Sequence, residues 1–326
     1  MRALPLASAA LSAVLLGAVL PGPAGSAIPD GSTTKPVSGT GCSVFPADNY
    51  WNADISDLPR HRRSKQWLAR MSTGRDLHPD FGPSYGNGPG YGIPVTVVGE
   101  RHRRVKVRFR YAAESDRVRY PLGRDTRIEG GRGSDGDRHA IVVNRSSCRL
   151  YETFDTRFSN GRWRAGSGAV WNLRNNRLRP DGWTSADAAG LPILPGLLRW
   201  NEVRDRKVDH AIRFTTDITS RRHLWPARHD AGSRSSLKFP AMGARFRLRA
   251  GFSTDGFGGP AREVIRAMKT YGLVLADNGS PWFFQGERSR HWPDRMIAEL
   301  KEIPARAFVA VDASGLKVSH DSAQVR

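Results

Sequence analysis

Short segments of alternating or β-branched residues, each bounded by Gly, Pro, Asn or Asp, recur along most of this 326-residue chain and leave little room for a helical period. The candidates span 93–98, 105–111, 139–143, 148–154, 168–172, 210–215, 244–250, 271–276, 282–285 and 308–312. Helical periodicity is convincing only over 262–270 and 295–302, with a weaker pattern at 63–71. This balance predicts a mainly β fold: a single-domain β-sandwich, jelly roll or related barrel with two or three short peripheral helices. Asn278-Gly279, between Leu273-Val274-Leu275 and Trp282-Phe283-Phe284, predicts a two-residue hairpin. No internal repeat is visible, which argues against a propeller or solenoid.

Met1-Arg2, the apolar run from Leu4 to Leu20 and the small residues up to Ala27 read as a secretory signal peptide over 1–27. Residues 28–41, rich in Gly, Ser, Thr and Pro, read as a flexible leader, and 42–326 as one β-rich domain. Beyond the first run, no apolar stretch reaches the roughly 18 residues of a membrane-spanning helix. The expectation is an exported, soluble monomer. Its two cysteines, Cys42 and Cys148, are then expected to form a disulfide that fastens the N-terminal arm to the 139–154 segment. The formal charge is +20, from 51 Lys and Arg against 31 Asp and Glu. A basic exported protein is drawn to extracellular polysaccharide or other polyanions. Nucleic acid is not expected as the ligand, because no recognition helix, zinc finger or RNP-like motif is present. In RVKVRFRY, Val105, Val107 and Phe109 alternate with Arg104, Lys106, Arg108 and Arg110, which predicts one inward face and one basic face.

The segment Asp137 to Asp155 carries the most chemistry. His139, Ile141 and Val143 share one face of its first strand, and Cys148, Leu150, Glu152 and Phe154 share one face of its second. A turn on 144–147 would pair Val143 with Cys148 and Ile141 with Leu150, setting His139 opposite Glu152. An imidazole facing a carboxylate on an apolar surface would perturb both pKa values.

His210, which opens HAIRFT, and His229 in WPARHD are the other histidines of interest. With His139 and Glu152 they form a candidate set for a divalent metal, although none of them shows a local metal spacing. No other cofactor is expected. Glu152 and Asp277 are a candidate acid and base pair for glycoside chemistry, with Asp155, Asp187 and Glu202 as reserves. Trp171 and Trp183, with Arg138 and Arg213, are candidate substrate contacts, since flat aromatic faces beside guanidinium groups suit sugar rings. The structural alternative is that the tryptophans fill the core and Asp277 stabilises its own turn. The chain lacks the GxSxG elbow, the Walker A loop and a GxGxxG between strand and helix, which argues against α/β-hydrolase, P-loop and dinucleotide-binding chemistry.

The strings LHPDFG, ESD, IEGG, DRHAIVV, CRLYE, RPDGWTSADAAGLPILPGL, HAIRFT, WPARH and LADNGSPW, between Leu77 and Trp282, resemble those of a group of exported bacterial proteins, a match expected to span roughly residues 49–318. The resemblance implies one domain and brings no activity or catalytic residue with it. The residue chemistry leads to a secreted carbohydrate-active enzyme, a glycoside hydrolase or polysaccharide lyase, with Glu152, His139, His210, His229 and Asp277 as catalytic candidates. The alternative is a non-catalytic protein that binds cell wall or glycan.

Overall fold

A computed structural model describes residues 34–86, 90–131 and 133–326. The expected signal peptide and the first residues of the leader, 28–33, lie outside the described residues. In chain order the strands are β1 His78–Asp80, β2 Val95–Val98, β3 Val107–Phe109, β4 Ala140–Asn144, β5 Arg149–Phe154, β6 Arg157–Ser159, β7 Arg162–Ala165, β8 Ser167–Asn172, β9 Ile212–Thr216, β10 Arg245–Leu248, β11 Leu273–Asn278, β12 Phe283–Gln285 and β13 Phe308–Val311. The helices are α1 Ser64–Leu68, α2 Trp200–Arg204, α3 Gly259–Thr270 and α4 Asp294–Leu300, one more than expected.

Among the described residues the strands make three open sheets, and none closes into a barrel. A four-stranded sheet runs β2-β4-β5-β8, and period-two alternation divides its side chains between two cores. Ile141, Val143, Leu150, Ala169 and Trp171 point into the main core, which also includes Phe214, Leu275, Phe284 and Phe246 of a six-stranded sheet, β1-β12-β9-β11-β10-β13. Val142, Tyr151 and Val98 point the other way, into a smaller core shared with Phe109 and Ala165 of the three-stranded sheet β3-β7-β6. Complete burial of one such Leu, Ile or Phe side chain contributes about 1.5–3 kcal/mol. The mainly β, sandwich-like architecture therefore follows from the alternation in the sequence.

α3 lays Ala261, Val264, Ile265, Ala267 and Met268 inward, and it packs against β10. It ends at Gly272, which has φ +72° and lies so near the Phe246 carbonyl that a Cβ there would come within 2.2 Å of the oxygen. The chain then enters β11.

Three expectations are corrected. The leader is packed from residue 34 onward: Val37 is buried in the main core, and the Lys35 carbonyl accepts a hydrogen bond from Arg199. Asn278-Gly279 does not close a hairpin, because β9 lies between β11 and β12, parallel to the first and antiparallel to the second. The β4–β5 hairpin is displaced by two residues, pairing Val143 with Leu150 and Ile141 with Glu152. Asn144 Oδ1 accepts the N–H groups of Ser146 and Ser147 at 3.1 and 3.0 Å, so the turn occupies residues 145–148. Cys148 closes this turn at φ +49° and forms the expected disulfide with Cys42.

One local irregularity shapes the site. β9 and β11 pair Ile212 with Leu273, Arg213 with Val274 and Phe214 with Leu275, after which the register skips Ala276 and pairs Thr215 with Asp277. This bulge turns Asp277 onto the Arg213 face, away from Leu273 and Leu275.

Candidate active site

His139 enters the hairpin immediately before β4, after Arg138 at φ +52°. A two-residue displacement preserves the strand faces, so His139 and Glu152 share a face without pairing. The histidine's partner is Glu129, from the preceding loop: Nδ1 lies 2.7 Å from Oε2, and the His139 backbone N–H donates to the same oxygen at 3.2 Å. Nε2 is 3.1 Å from the Ala186 carbonyl. Both ring nitrogens face acceptors, the arrangement of a doubly protonated imidazolium. Burial alone would lower the His139 pKa, but the Glu129 carboxylate outweighs it and raises it to about 9. Burial likewise opposes ionisation of Glu129, yet His139 holds its carboxyl below the ordinary range.

Glu152 is completely buried. Its oxygens accept the N–H of Ile193 at 2.9 and 3.1 Å and of Leu194 at 2.9 Å, where the chain enters the 3-10 turn Leu194–Gly196. Burial pushes its pKa up to about 7, against the pull of those N–H groups. This carboxyl anchors a turn.

Arg213 on β9 supplies the facing wall. Its guanidinium grips Asp187 with two hydrogen bonds, Nε to Oδ2 at 3.1 Å and Nη2 to Oδ1 at 2.7 Å, and Nη2 lies 3.8 Å from Asp277 Oδ2. Asp277 keeps 24% of its side-chain surface exposed. Its Oδ1 accepts the N–H of Asn278 at 2.7 Å, the local turn contact expected of an Asp at this position. Burial of the remainder, and then the charge of Asp187, push its pKa up to about 7 against the pull of Arg213 and His139.

The same sheet face extends to residues with no sequence pattern to mark them. Phe284 pairs with Phe214, so Gln285 lies beside Arg213, and Gln285 in turn pairs with Asp80. Tyr85 Oη donates to Asp80 Oδ1 at 2.8 Å; burial raises the Asp80 pKa, and this hydrogen bond works against it. Tyr91, 5.3 Å from Tyr85 between ring centroids, has its phenol pushed up to about 12 by burial and by the charges of Asp80, Glu129 and Asp137. Gln285 Oε1 is buried without a hydrogen-bond partner among the described residues. An orphan acceptor beside half-exposed carboxyls is suited to a ligand hydroxyl.

His139, Arg213, Asp187 and Asp277 are therefore brought together, and Glu129, Asp80, Tyr85, Tyr91 and Gln285 complete the cluster. The other candidates lie elsewhere. His210 belongs to a separate buried network, with Nε2 3.1 Å from Glu202 and Nδ1 2.8 Å from the Ala211 carbonyl. His229 faces the Ala188 carbonyl at 2.8 Å and Glu114 at 3.9 Å. Arg138 uses its guanidinium on the backbone carbonyls of Thr156, Gly131 and Ser134. Trp171 is core, and half-buried Trp183 stacks on Arg179 at 5.4 Å. Asp155 pairs with Arg157. The expected metal set does not form: no group of three or more His, Cys, Asp or Glu among the described residues is placed to hold a metal ion, because His210 is committed to Glu202 and Glu152 to backbone donors.

Comparison with protein-family models, with curated proteins and with solved structures returns no match.

Proposed function

We propose that this protein is a secreted carbohydrate-active enzyme that cleaves an extracellular polysaccharide by acid–base chemistry, as a glycoside hydrolase or a polysaccharide lyase. The observation that carries this reading is Asp277: a half-open carboxyl with a pKa of about 7, beside a guanidinium fixed by Asp187 and an imidazolium fixed by Glu129. A group titrating near neutrality can both hold and release a proton at working pH. Asp277 is thus the proton-transferring residue. Asp80, tethered by Tyr85, lines the same sheet face three strands away from Asp277. In an elimination, Asp277 would take the ring proton as the glycosidic oxygen departs, and Arg213 and His139, both buried and paired, would act on the uronate only through their field and not by contact. Glu152, although its pKa is also raised, lacks the exposure that substrate contact demands.

Purified protein should release reducing ends from some member of a panel of neutral and acidic polysaccharides. Ultraviolet-absorbing unsaturated products would mark elimination, and their absence hydrolysis. Asp277→Asn should lower release by about 10²–10⁴-fold while the circular dichroism spectrum is unchanged. Full activity in that variant, or no activity on the whole panel, would overturn the reading. A non-catalytic glycan-binding role is the second reading, because a broad concavity elsewhere on the molecule contains none of these carboxyls.

A further inference from the structure

That concavity is an open groove of about 1750 Å³ between the three-stranded sheet and the loop that precedes the hairpin. Arg104, Lys106 and Arg108 line it from one side, Arg119 and Arg127 from the loop and Arg162 from β7, all of them exposed. None of these six cations has a carboxylate partner among the described residues. Along an extended chain, Arg104, Lys106 and Arg108 recur at about 6.6 Å. Arg108 also sits directly across from Arg164, and like charges in that position destabilise a sheet unless an anion lies between them. The groove includes apolar surface as well. The pairings of Val107 with Trp163 and of Trp163 with Phe158 set these three residues side by side, and Phe158 is 61% exposed.

We infer that this groove binds a linear anionic polysaccharide, its carboxylate or sulfate groups on the arginine rim and its sugar rings against the apolar lining. Two features favour a glycan over single-stranded nucleic acid. The aromatic surface is a single tilted pair, Phe158 and Trp163, with centroids 5.1 Å apart at 49°. Base-by-base binding uses a succession of aromatic platforms along the strand. The rest of the apolar lining is aliphatic, supplied by Val105, Val107, Leu122 and Ile128. Ile128, Gly131 and Arg138 also line the groove, and their chain neighbours Glu129 and His139 belong to the candidate active site. The inference deepens the polysaccharide reading by naming the charge class of the substrate, and it rests on that reading only for the fate of the bound chain.

The test uses the full chain carrying Asp277→Asn, titrated at fixed ionic strength with polygalacturonate, heparin, neutral dextran and a single-stranded oligonucleotide while tryptophan fluorescence is followed. Polygalacturonate or heparin should bind and dextran should not. K106E/R108E/R127E, made at exposed positions outside the active site, should weaken binding at least about tenfold. Unchanged affinity in that variant, or preference for the oligonucleotide over both acidic glycans, would overturn the inference. If the acidic glycans bind but the unsubstituted protein cleaves none, the enzyme reading falls and the groove stands. If they are cleaved with KM unchanged by the triple substitution, the groove falls and the enzyme stands.

Discussion

His139 and Glu129 form a buried ion pair, with Nδ1 2.7 Å from Oε2, and the Ala186 carbonyl holds the other ring nitrogen. The pair links stability to pH from both ends. The folded His139 pKa, about 9, exceeds the unfolded value of about 6.5, so its contribution is complete below the unfolded value and is lost as pH rises through 9. The Glu129 pKa is depressed, so its contribution is present above the ordinary carboxylate range and is lost as pH falls. Glu129→Gln leaves the imidazole without its counter-charge and should cost about 3–5 kcal/mol near pH 6. Urea denaturation at several pH values checks this, and the variant should also lack the alkaline loss of stability.

Asp277 behaves in the opposite sense. Its folded pKa, about 7, lies above the unfolded value, so the folded state favours the proton and stability declines as pH climbs from about 4 through 7. Asp277→Asn should match the unsubstituted protein in stability at pH 4 and exceed it at pH 8. On a cleaved substrate it should lower turnover by about 10²–10⁴-fold and remove the limb of the pH–rate profile near 7.

Glu152 gives the contrasting result. Glu152→Leu strands the N–H groups of Ile193 and Leu194 and should cost about 1–3 kcal/mol for each buried donor left unsatisfied. Glu152→Gln keeps an acceptor there and should cost less. Substrate turnover by the Gln variant, measured well below its melting temperature, should stay near the unsubstituted level.

The Cys42–Cys148 bridge spans 106 residues of chain and ties the packed leader to the hairpin turn. Substituting both cysteines with Ala should lower stability by about 2–5 kcal/mol, chiefly by freeing the unfolded chain. Thermal melts of the double variant, alongside the parent with and without reductant, measure the loss.

Where burial divides the two sides of a strand, the sequence discloses the strand. All ten segments read from alternation are strands, within two residues or so at each end. Three escaped: β1 is His-Pro-Asp and β6 is fully exposed, so neither shows that contrast, while β7, where Arg alternates with a half-buried Trp and a buried Ala, is only four residues long. α2 is a single turn and a half, too short for a period. The candidate site was legible where a polar residue interrupts an apolar strand, as at His139, Arg213 and Asp277. It was not legible at Glu129, which two glycines follow and which reads as loop, nor at Asp80 and Gln285, whose relation to Arg213 exists only through sheet order. The hairpin register escaped for a local reason. Asn144 captures the N–H groups of Ser146 and Ser147, which displaces the pairing by two residues and leaves the faces unchanged.

The skipped residue in β11 makes the register of that strand a determinant in its own right. With Ala276 kept but paired in a regular ladder, Asp277 would pair with Thr216 and project among Phe214 and Leu275; because Ala276 is skipped, it pairs with Thr215 and faces Arg213. A one-residue slip that paired Ala276 into the ladder would exchange a titrating carboxyl for a charge trapped in hydrocarbon with no side chain altered. The placement of Asp277 is therefore set by the backbone register of β11 as much as by the identity of its side chain.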